Sequence, residues 1–220
     1  MKHSVKNIMI IGDSYSTFEG YIPEGYATYY SAEETEKTDV RRVEETWWHR
    51  LCSEMGLKLV LNDSWSGSPI AYRGHNGKDC SHDSSFIYRF DKMVSDKFFE
   101  DNDVDTILIF GGTNDSWAGA PLGEVKYDNV TTEELFTVLP AITHFAARLA
   151  KDASDKNVIF IINTGLKPEI EEAIVLSCKR YGLESIKLSD IDKRCGHPTI
   201  KGMEQISEQV ALFLNKIKEF

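Results

Sequence analysis

Short apolar runs that end in small polar residues recur along this chain of 220 residues. Three of these runs, each given with its sequel, are Ile8–Ile11 before Gly12-Asp13-Ser14, Leu57–Leu61 before Asn62–Gly67, and Thr106–Phe110 before Gly111–Asp115. Runs of this length and composition are typical of strands in a parallel sheet. Ligands bind outside the carboxyl ends of such strands, so we expect the polar residues there to form a site.

The alternation of strand-like and helical patterns predicts an α/β fold. The predicted strands are Asn7–Gly12, Leu57–Asn62, Asp105–Gly111, Asn157–Asn163 and Glu184–Leu188. The predicted helices are Thr46–Met55, Ser84–Glu100, Thr132–Lys151, Pro168–Tyr181 and Thr199–Lys218. Right-handed crossovers between these elements predict a three-layer, doubly wound, flavodoxin-like sheet of about five parallel strands in the order 2-1-3-4-5. We expect residues 1–220 to form a single domain of this kind.

Four short blocks of the sequence resemble those of the SGNH (GDSL-type) hydrolases. They are Ser14 in Gly-Asp-Ser, Gly67, Asn114 in Gly-x-Asn-Asp, and His197 followed by Pro198. Their order matches that family, and together they span most of the chain. The resemblance implies a serine-dependent carboxylic ester hydrolase that uses no metal or organic cofactor. The residues around Ser14 differ from the Gly-x-Ser-x-Gly elbow of the α/β-hydrolases.

The residue types in these blocks suit acyl transfer. Ser14 is the candidate nucleophile, although a serine after a strand is also a common helix N-cap. His197 is the candidate base, because imidazole titrates near neutrality. The backbone N–H groups of Ser14 and Gly67 and the side-chain amide of Asn114 are the candidate oxyanion donors. Taken alone, Gly67 and Asn114 would also be reasonable turn residues.

The acidic partner of His197 is where the sequence departs from the family. An Asp usually lies three residues before the His, and Arg194 occupies that position here. Three alternatives remain open, namely Asp192, Asp190 and a backbone carbonyl. We prefer Asp192, because it is the acidic residue closest in sequence before His197.

Two long connections leave the predicted site, and long loops in compact domains are often functional. Tyr15–Val43 is aromatic in its first half, and Trp117–Val130 carries glycines and a proline. We expect both to wall the site, with Tyr15 and Trp117 binding substrate. Aromatic side chains suit stacking on sugar rings, so a short-chain, O-acetyl carbohydrate ester is the favoured substrate. A thioesterase or lysophospholipase, and a non-catalytic ligand-binding domain on the same scaffold, are the alternatives.

Charge and composition narrow the partners further. The net charge of −10 argues against nucleic acid as a partner. The sequence contains no stretch of 18 apolar residues, so we expect no membrane span. Four cysteines without Cys-x-x-Cys spacing, and an N-terminus without a signal-peptide pattern, predict a cytoplasmic protein. His75, Cys80 and His82 are close in sequence, but their spacing matches no standard zinc site and indicates a polar loop near the site mouth.

Overall fold

The computed structural model describes residues 5–218, so the first four residues, which entered the localisation prediction, lie outside the described residues. A central sheet contains five parallel strands in the order β2-β1-β3-β4-β5. The strands are β1 Asn7–Gly12, β2 Lys58–Ser64, β3 Thr106–Gly111, β4 Asn157–Ile162 and β5 Glu184–Lys187. The predicted doubly wound α/β fold and its strand order are confirmed.

Helices cover both faces of this sheet. They are α1 Trp47–Met55, α2 Phe86–Ser95, α3 Phe98–Asp101, α4 Thr113–Trp117, α5 Val138–Asp152, α6 Pro168–Tyr181 and α7 Ile200–Lys218. Side chains alternate along a strand, so β1 contributes to two cores. Met9 and Ile11 join the core that contains residues of α2, α5 and α6, whereas Ile8 and Ile10 join the core that contains residues of α1 and α7. Burial on both faces explains why β1 and β3 are almost entirely apolar.

The strand order places a topological switch at β1 and β3. The chain crosses from β1 to β2 on one side and then returns to β3 on the other, so the loops after β1 and β3 diverge. Gly12 at the end of β1 pairs with Phe110 near the end of β3, which brings the two strand ends side by side. Open α/β sheets bind ligands at such a crevice.

Two of the predicted helices differ in extent from those observed. The predicted helix Ser84–Glu100 is divided, because Lys97 adopts a left-handed conformation with φ of 60° between α2 and α3. The predicted helix from Thr132 begins only at Val138, because Thr137 is extended and the backbone N–H of Val138 bonds the carbonyl of Pro121 instead. Within residues 5–218, no helix has the length and apolar character needed to span a membrane.

A two-stranded hairpin that the sequence patterns did not predict precedes α7. Its strands are β6 Lys193–Arg194 and β7 His197–Pro198, paired antiparallel. The two linking residues both have positive φ, 49° at Cys195 and 79° at Gly196. This is the backbone of a tight type I′ turn, which joins antiparallel strands with two residues. The hairpin matters because it carries His197.

Candidate active site

Ser14 and His197 are hydrogen-bonded although 183 residues separate them in the sequence. The Oγ of Ser14 lies 2.9 Å from Nε2 of His197. Ser14 follows β1 directly and opens a short 3₁₀ turn, while the hairpin β6–β7 carries His197 to the same edge of the sheet. The pairing suits a hydroxyl whose proton a neighbouring base removes.

The backbone around Ser14 is fixed by its neighbours. The backbone N–H of Asp13 donates to the carbonyl of Phe110 on β3 at 3.3 Å, and Asp13 Oδ1 accepts from the N–H of Tyr15 at 3.0 Å. Asp13 therefore caps the 3₁₀ turn, so the N-cap interpretation of Ser14 does not apply. Among the described residues no acceptor is bonded to the Ser14 N–H, which leaves this donor available.

Gly67 lies in a tight turn after β2. Its φ of 82° is a conformation that glycine adopts without strain, and the turn is closed by a hydrogen bond of 3.1 Å from Ser68 N to Trp65 O. The turn is attached to the end of β1, because Trp65 N donates to Gly12 O at 3.1 Å. Gly67 and Ser14 are thus held on the same strand-end surface.

Asn114, in the first turn of α4, reaches the same loop from β3. Its Nδ2 donates to the carbonyl of Ser68 at 3.1 Å, and its Oδ1 lies 3.0 Å from Nε2 of His75. The next residue, Asp115, accepts the backbone N–H groups of Ile70 and Ala71 at 2.8 and 3.0 Å. The four predicted blocks therefore meet at one edge of the sheet.

A buried arginine that the sequence analysis missed ties the ends of β1 and β2 together. Arg89 of α2 donates through Nη2 to Gly12 O at 3.1 Å and to Ser68 Oγ at 3.3 Å, and its Nη1 bonds the carboxylate of Asp63. The side chains of Arg89 and Asp63 are 1% and 3% exposed, so this ion pair is buried. The sequence signal was an arginine between Phe86 and Phe90 on the apolar face of a helix.

The imidazole of His197 is oriented by a backbone carbonyl. Its Nδ1 lies 3.2 Å from the oxygen of Cys195, two residues earlier in the hairpin turn. Asp192, the preferred sequence candidate, instead accepts a hydrogen bond from the hydroxyl of Thr199 at the start of α7. Asp190 likewise makes no hydrogen bond to the imidazole within the described part of the chain. The geometry thus matches the third alternative, and the expected contact between Asp192 and His197 is not formed.

Aromatic side chains surround the His197 ring. Tyr29 is stacked on it with ring centroids 3.6 Å apart and an interplanar angle of 8°. Trp117 meets the ring edge-on at 5.8 Å and is 45% exposed, and its contact with substrate stays a prediction. Tyr29 belongs to the aromatic segment that the sequence predicted as a site wall, but the stacking itself had no local signal.

Tyr15 does not occupy the place predicted for it. Its side chain is fully buried, its ring packs edge-on against Phe110 at 5.6 Å, and its hydroxyl donates to the carbonyl of Gly196. The predicted substrate contact of Tyr15 is therefore wrong. Tyr15 follows Ser14 into the 3₁₀ turn, which directs its ring into the core, where it supports the hairpin that carries His197.

Burial shifts the pKa values of His197 and Asp13, which both lie at this edge. The pKa of His197 lies below its ordinary value, chiefly because burial disfavours the imidazolium and also because Lys193 is positively charged, while the Cys195 carbonyl opposes the shift. Burial raises the pKa of the Asp13 carboxyl to about 7. A histidine with a lowered pKa is neutral at neutral pH, which is the form that accepts a proton.

His75, Cys80 and His82 lie in the loop between β2 and α2. In the described residues, no three His, Cys, Asp or Glu side chains converge as ligands would. His75 contacts Asn114, whereas the Sγ of Cys80 lies 3.8 Å from the Lys78 carbonyl. The polar loop predicted near the site mouth is present, with His75 at the site itself.

Comparison with known proteins gives one family match and several similar structures. The model of the GDSL-like lipase/acylhydrolase family matches residues 6–214. A protein from Bacteroides ovatus described as a GDSL-like lipase is 44% identical, with a TM-score of 0.88, and the match covers 97% of this chain and 100% of that one. A protein of the same description from Bacteroides uniformis is 39% identical, with the same TM-score and 96% of both chains covered.

A third structure extends the comparison to a more distant protein. A family two carbohydrate esterase from Clostridium thermocellum, solved in complex with cellohexaose, is 14% identical with a TM-score of 0.65. The match covers 98% of this chain and 65% of the esterase, and at this identity it shows the shared fold alone. No curated protein matches the chain. Because the family model covers nearly all of the sequence and two similar structures carry the same description, this protein belongs to the GDSL-like lipase/acylhydrolase family.

Proposed function

We propose that this protein is a serine esterase that hydrolyses short O-acyl esters of carbohydrates through an acyl-enzyme on Ser14. The observation that carries the proposal is the 2.9 Å contact between Ser14 Oγ and His197 Nε2. Membership of an acylhydrolase family supports the reaction class.

The proposed reaction begins with proton transfer. His197 Nε2 removes the hydroxyl proton as Ser14 Oγ attacks the ester carbonyl carbon, and the Cys195 carbonyl accepts the Nδ1–H of the resulting imidazolium. The oxyanion of the tetrahedral intermediate accepts hydrogen bonds from the free N–H of Ser14, the N–H of Gly67 and the amide of Asn114. His197 then protonates the leaving alcohol, and water releases the acid from Ser14 by the same steps in reverse.

The carbohydrate preference rests on the aromatic rim. Trp117 is exposed beside His197, and the rings of Tyr26 and Trp65 pack 4.2 Å apart above the Gly67 turn. Flat aromatic faces suit the C–H faces of sugar rings. Structural neighbours that share the fold include a carbohydrate esterase bound to cellohexaose and an acetyl xylan esterase from Butyrivibrio proteoclasticus, which supports the same substrate class.

Replacement of the nucleophile tests the proposal. Ser14→Ala is expected to lower kcat on an acetylated xylo-oligosaccharide by on the order of a thousandfold or more, with an unchanged circular dichroism spectrum. A fluorophosphonate probe is expected to label the wild type at Ser14 and to leave the variant unlabelled. Ser31→Ala, in the loop that walls the site, serves as the matched control.

Other outcomes would redirect the assignment. Equal turnover by wild type and Ser14→Ala would leave only a ligand-binding role for this scaffold. Faster hydrolysis of decanoyl esters or acyl thioesters than of acetylated sugars would retain the nucleophile and reject the carbohydrate ester. Labelling of a different serine would reject the assignment of Ser14.

A further inference from the structure

We infer that His75 is a positioning residue of the oxyanion hole, which holds and polarises the side-chain amide of Asn114. The inference rests on the proposed function, because it concerns how one donor of that site is oriented. The contact that carries it is the 3.0 Å separation between His75 Nε2 and Asn114 Oδ1. His75 lies outside the four sequence blocks that resemble the family.

The surroundings of Asn114 determine which way its amide faces. The Ser68 carbonyl lies 3.1 Å from one end of the amide, and a carbonyl can only accept, so that end is the NH₂ group. The other end is therefore Oδ1, which also only accepts. The ring of His75 must then donate, so Nε2 carries a proton.

Both ends of the Asn114 amide are thereby occupied, while one N–H remains. Nδ2 has two hydrogens, and Ser68 takes one of them. The second is directed away from that carbonyl and is the one available to an oxyanion. Because the plane of the amide is fixed at both ends, this donor needs no reorientation when negative charge develops.

Donation from His75 also strengthens the remaining donor. A hydrogen bond to an amide oxygen draws electron density from the nitrogen and makes its N–H groups more acidic, the usual cooperativity of hydrogen-bond chains. The effect is largest when Asn114 itself binds a developing anion. His75 should thus contribute more in the transition state than in the substrate complex, which is the requirement for an effect on kcat.

The fold holds His75 in place independently of any ligand. The loop after β2 is anchored to α4 where Asp115 accepts the N–H groups of Ile70 and Ala71. Further along, Cys80 N donates to Tyr72 O at 2.7 Å, and Gly74 N donates to Lys78 O at 2.9 Å. These bonds close the base of the loop that carries His75, and its anchor, Asp115, is the residue after Asn114.

A double-mutant cycle tests the inference. We would measure kcat and KM on an acetylated sugar for His75→Ala, Asn114→Ala and the double variant, with His82→Ala, an exposed histidine of the same loop, as the matched control. Asn114→Ala is expected to lower kcat by roughly a hundredfold or more. His75→Ala is expected to lower kcat by about three- to tenfold with KM unchanged, which corresponds to one hydrogen bond at an accessible site.

Non-additivity separates positioning from a general structural role. In the Asn114→Ala background, His75→Ala should have almost no further effect, because the amide through which His75 acts is gone. His75→Gln offers an N–H donor in place of the imidazole and should recover most of the lost kcat. His82→Ala should match the wild type, and the melting temperatures of all variants identify any loss from misfolding.

The remaining outcomes would overturn the inference. Additive losses in the cycle would mean that His75 acts independently of Asn114, and a change confined to KM would place His75 in contact with substrate. His75 variants with normal kcat, alongside inactive Ser14→Ala and Asn114→Ala variants, would reject this inference and leave the proposed function intact. Full activity in Ser14→Ala would instead reject the proposed function.

Discussion

The role of Asp192 gives the sharpest prediction. Asp192→Asn is expected to leave kcat within about twofold of the wild type, although Asp→Asn in a Ser-His-Asp triad costs about 10⁴-fold. The reason is geometric, since the Nδ1–H of His197 donates to the Cys195 carbonyl at 3.2 Å while the Asp192 carboxylate bonds the Thr199 hydroxyl. The carbonyl belongs to the main chain, so the substitution leaves the orientation of the ring unchanged.

Asp192→Asn should instead lower the free energy of unfolding slightly. Asp192 lies at the N-terminal end of α7, where its main-chain carbonyl accepts from Thr199 N at 3.1 Å and Thr199 Oγ1 accepts from Gly202 N at 3.1 Å. An asparagine oxygen can still accept from Thr199, so only the interaction of the charge with the helix dipole is lost. That interaction is worth about 0.3–1 kcal/mol, or about 1–4 °C in Tm for a chain of this size.

The assay compares three variants on one activated ester at fixed pH. His197→Ala should lose on the order of a thousandfold in kcat, whereas Asp192→Asn and Asp190→Asn should remain near the wild type. Circular dichroism and thermal melts serve as controls for folding. A loss of more than about a hundredfold in Asp192→Asn, with a normal melt, would show that the carboxylate does orient the ring and would refute the reasoning.

Three further predictions concern substrate binding and charge. Trp117→Ala should raise KM for an acetylated sugar by about three- to tenfold but leave ethyl acetate hydrolysis unchanged, because the ring would bind only the sugar. Leu212→Ala, at an exposed side chain, serves as the control. Equal effects on both esters would contradict the binding of sugar by Trp117. Lys193→Met removes a positive charge that disfavours the imidazolium of His197, so the pKa of His197 should rise. The acidic limb of the pH profile of kcat/KM should then move to higher pH. A shift to lower pH would contradict this assignment. Asp13 titrates near 7 in the folded protein and near 3.8 in the unfolded chain, so its contribution to stability falls as pH rises between these values. The neutral variant Asp13→Asn lacks this titration, so its free energy of unfolding relative to the wild type should increase by on the order of a few kcal/mol as the pH rises over this interval. Denaturant melts at pH 4 and pH 8 measure that difference between variant and wild type. A difference that is equal at both pH values would contradict the prediction.

The sequence by itself determined the sheet and the edge where the site lies. Strand periodicity is a local property, because a strand buried on both faces must be apolar throughout, as Ile8–Ile11 and Ile107–Phe110 are. The handedness of the crossovers then leaves few strand orders, and the observed order is the predicted one. In any such sheet Ser14 and Asn114 follow adjacent strand ends, so their proximity follows from topology.

The tertiary structure alone decided which groups touch within that edge. Tyr15 and Tyr29 belong to the same aromatic segment, yet Tyr15 is buried under the hairpin and Tyr29 is stacked on His197. The positions of these two side chains depend on how a long irregular loop packs, which the hydrophobic periodicity of the sequence does not predict. The same holds for His75, which reaches Asn114 across 39 residues through a loop closed by its own backbone bonds.

The partner of His197 shows the physical reason most directly. The sequence left two carboxylates, Asp192 and Asp190, and an unspecified backbone carbonyl as possible partners, and residue types alone favoured Asp192. The orienting acceptor is a main-chain oxygen, and every residue carries one. Its direction is decided by the left-handed turn at Cys195 and Gly196, which turns the Cys195 carbonyl toward the ring two residues later. Residue types determined which chemistry was available at this edge, and backbone conformation determined which atom orients the base.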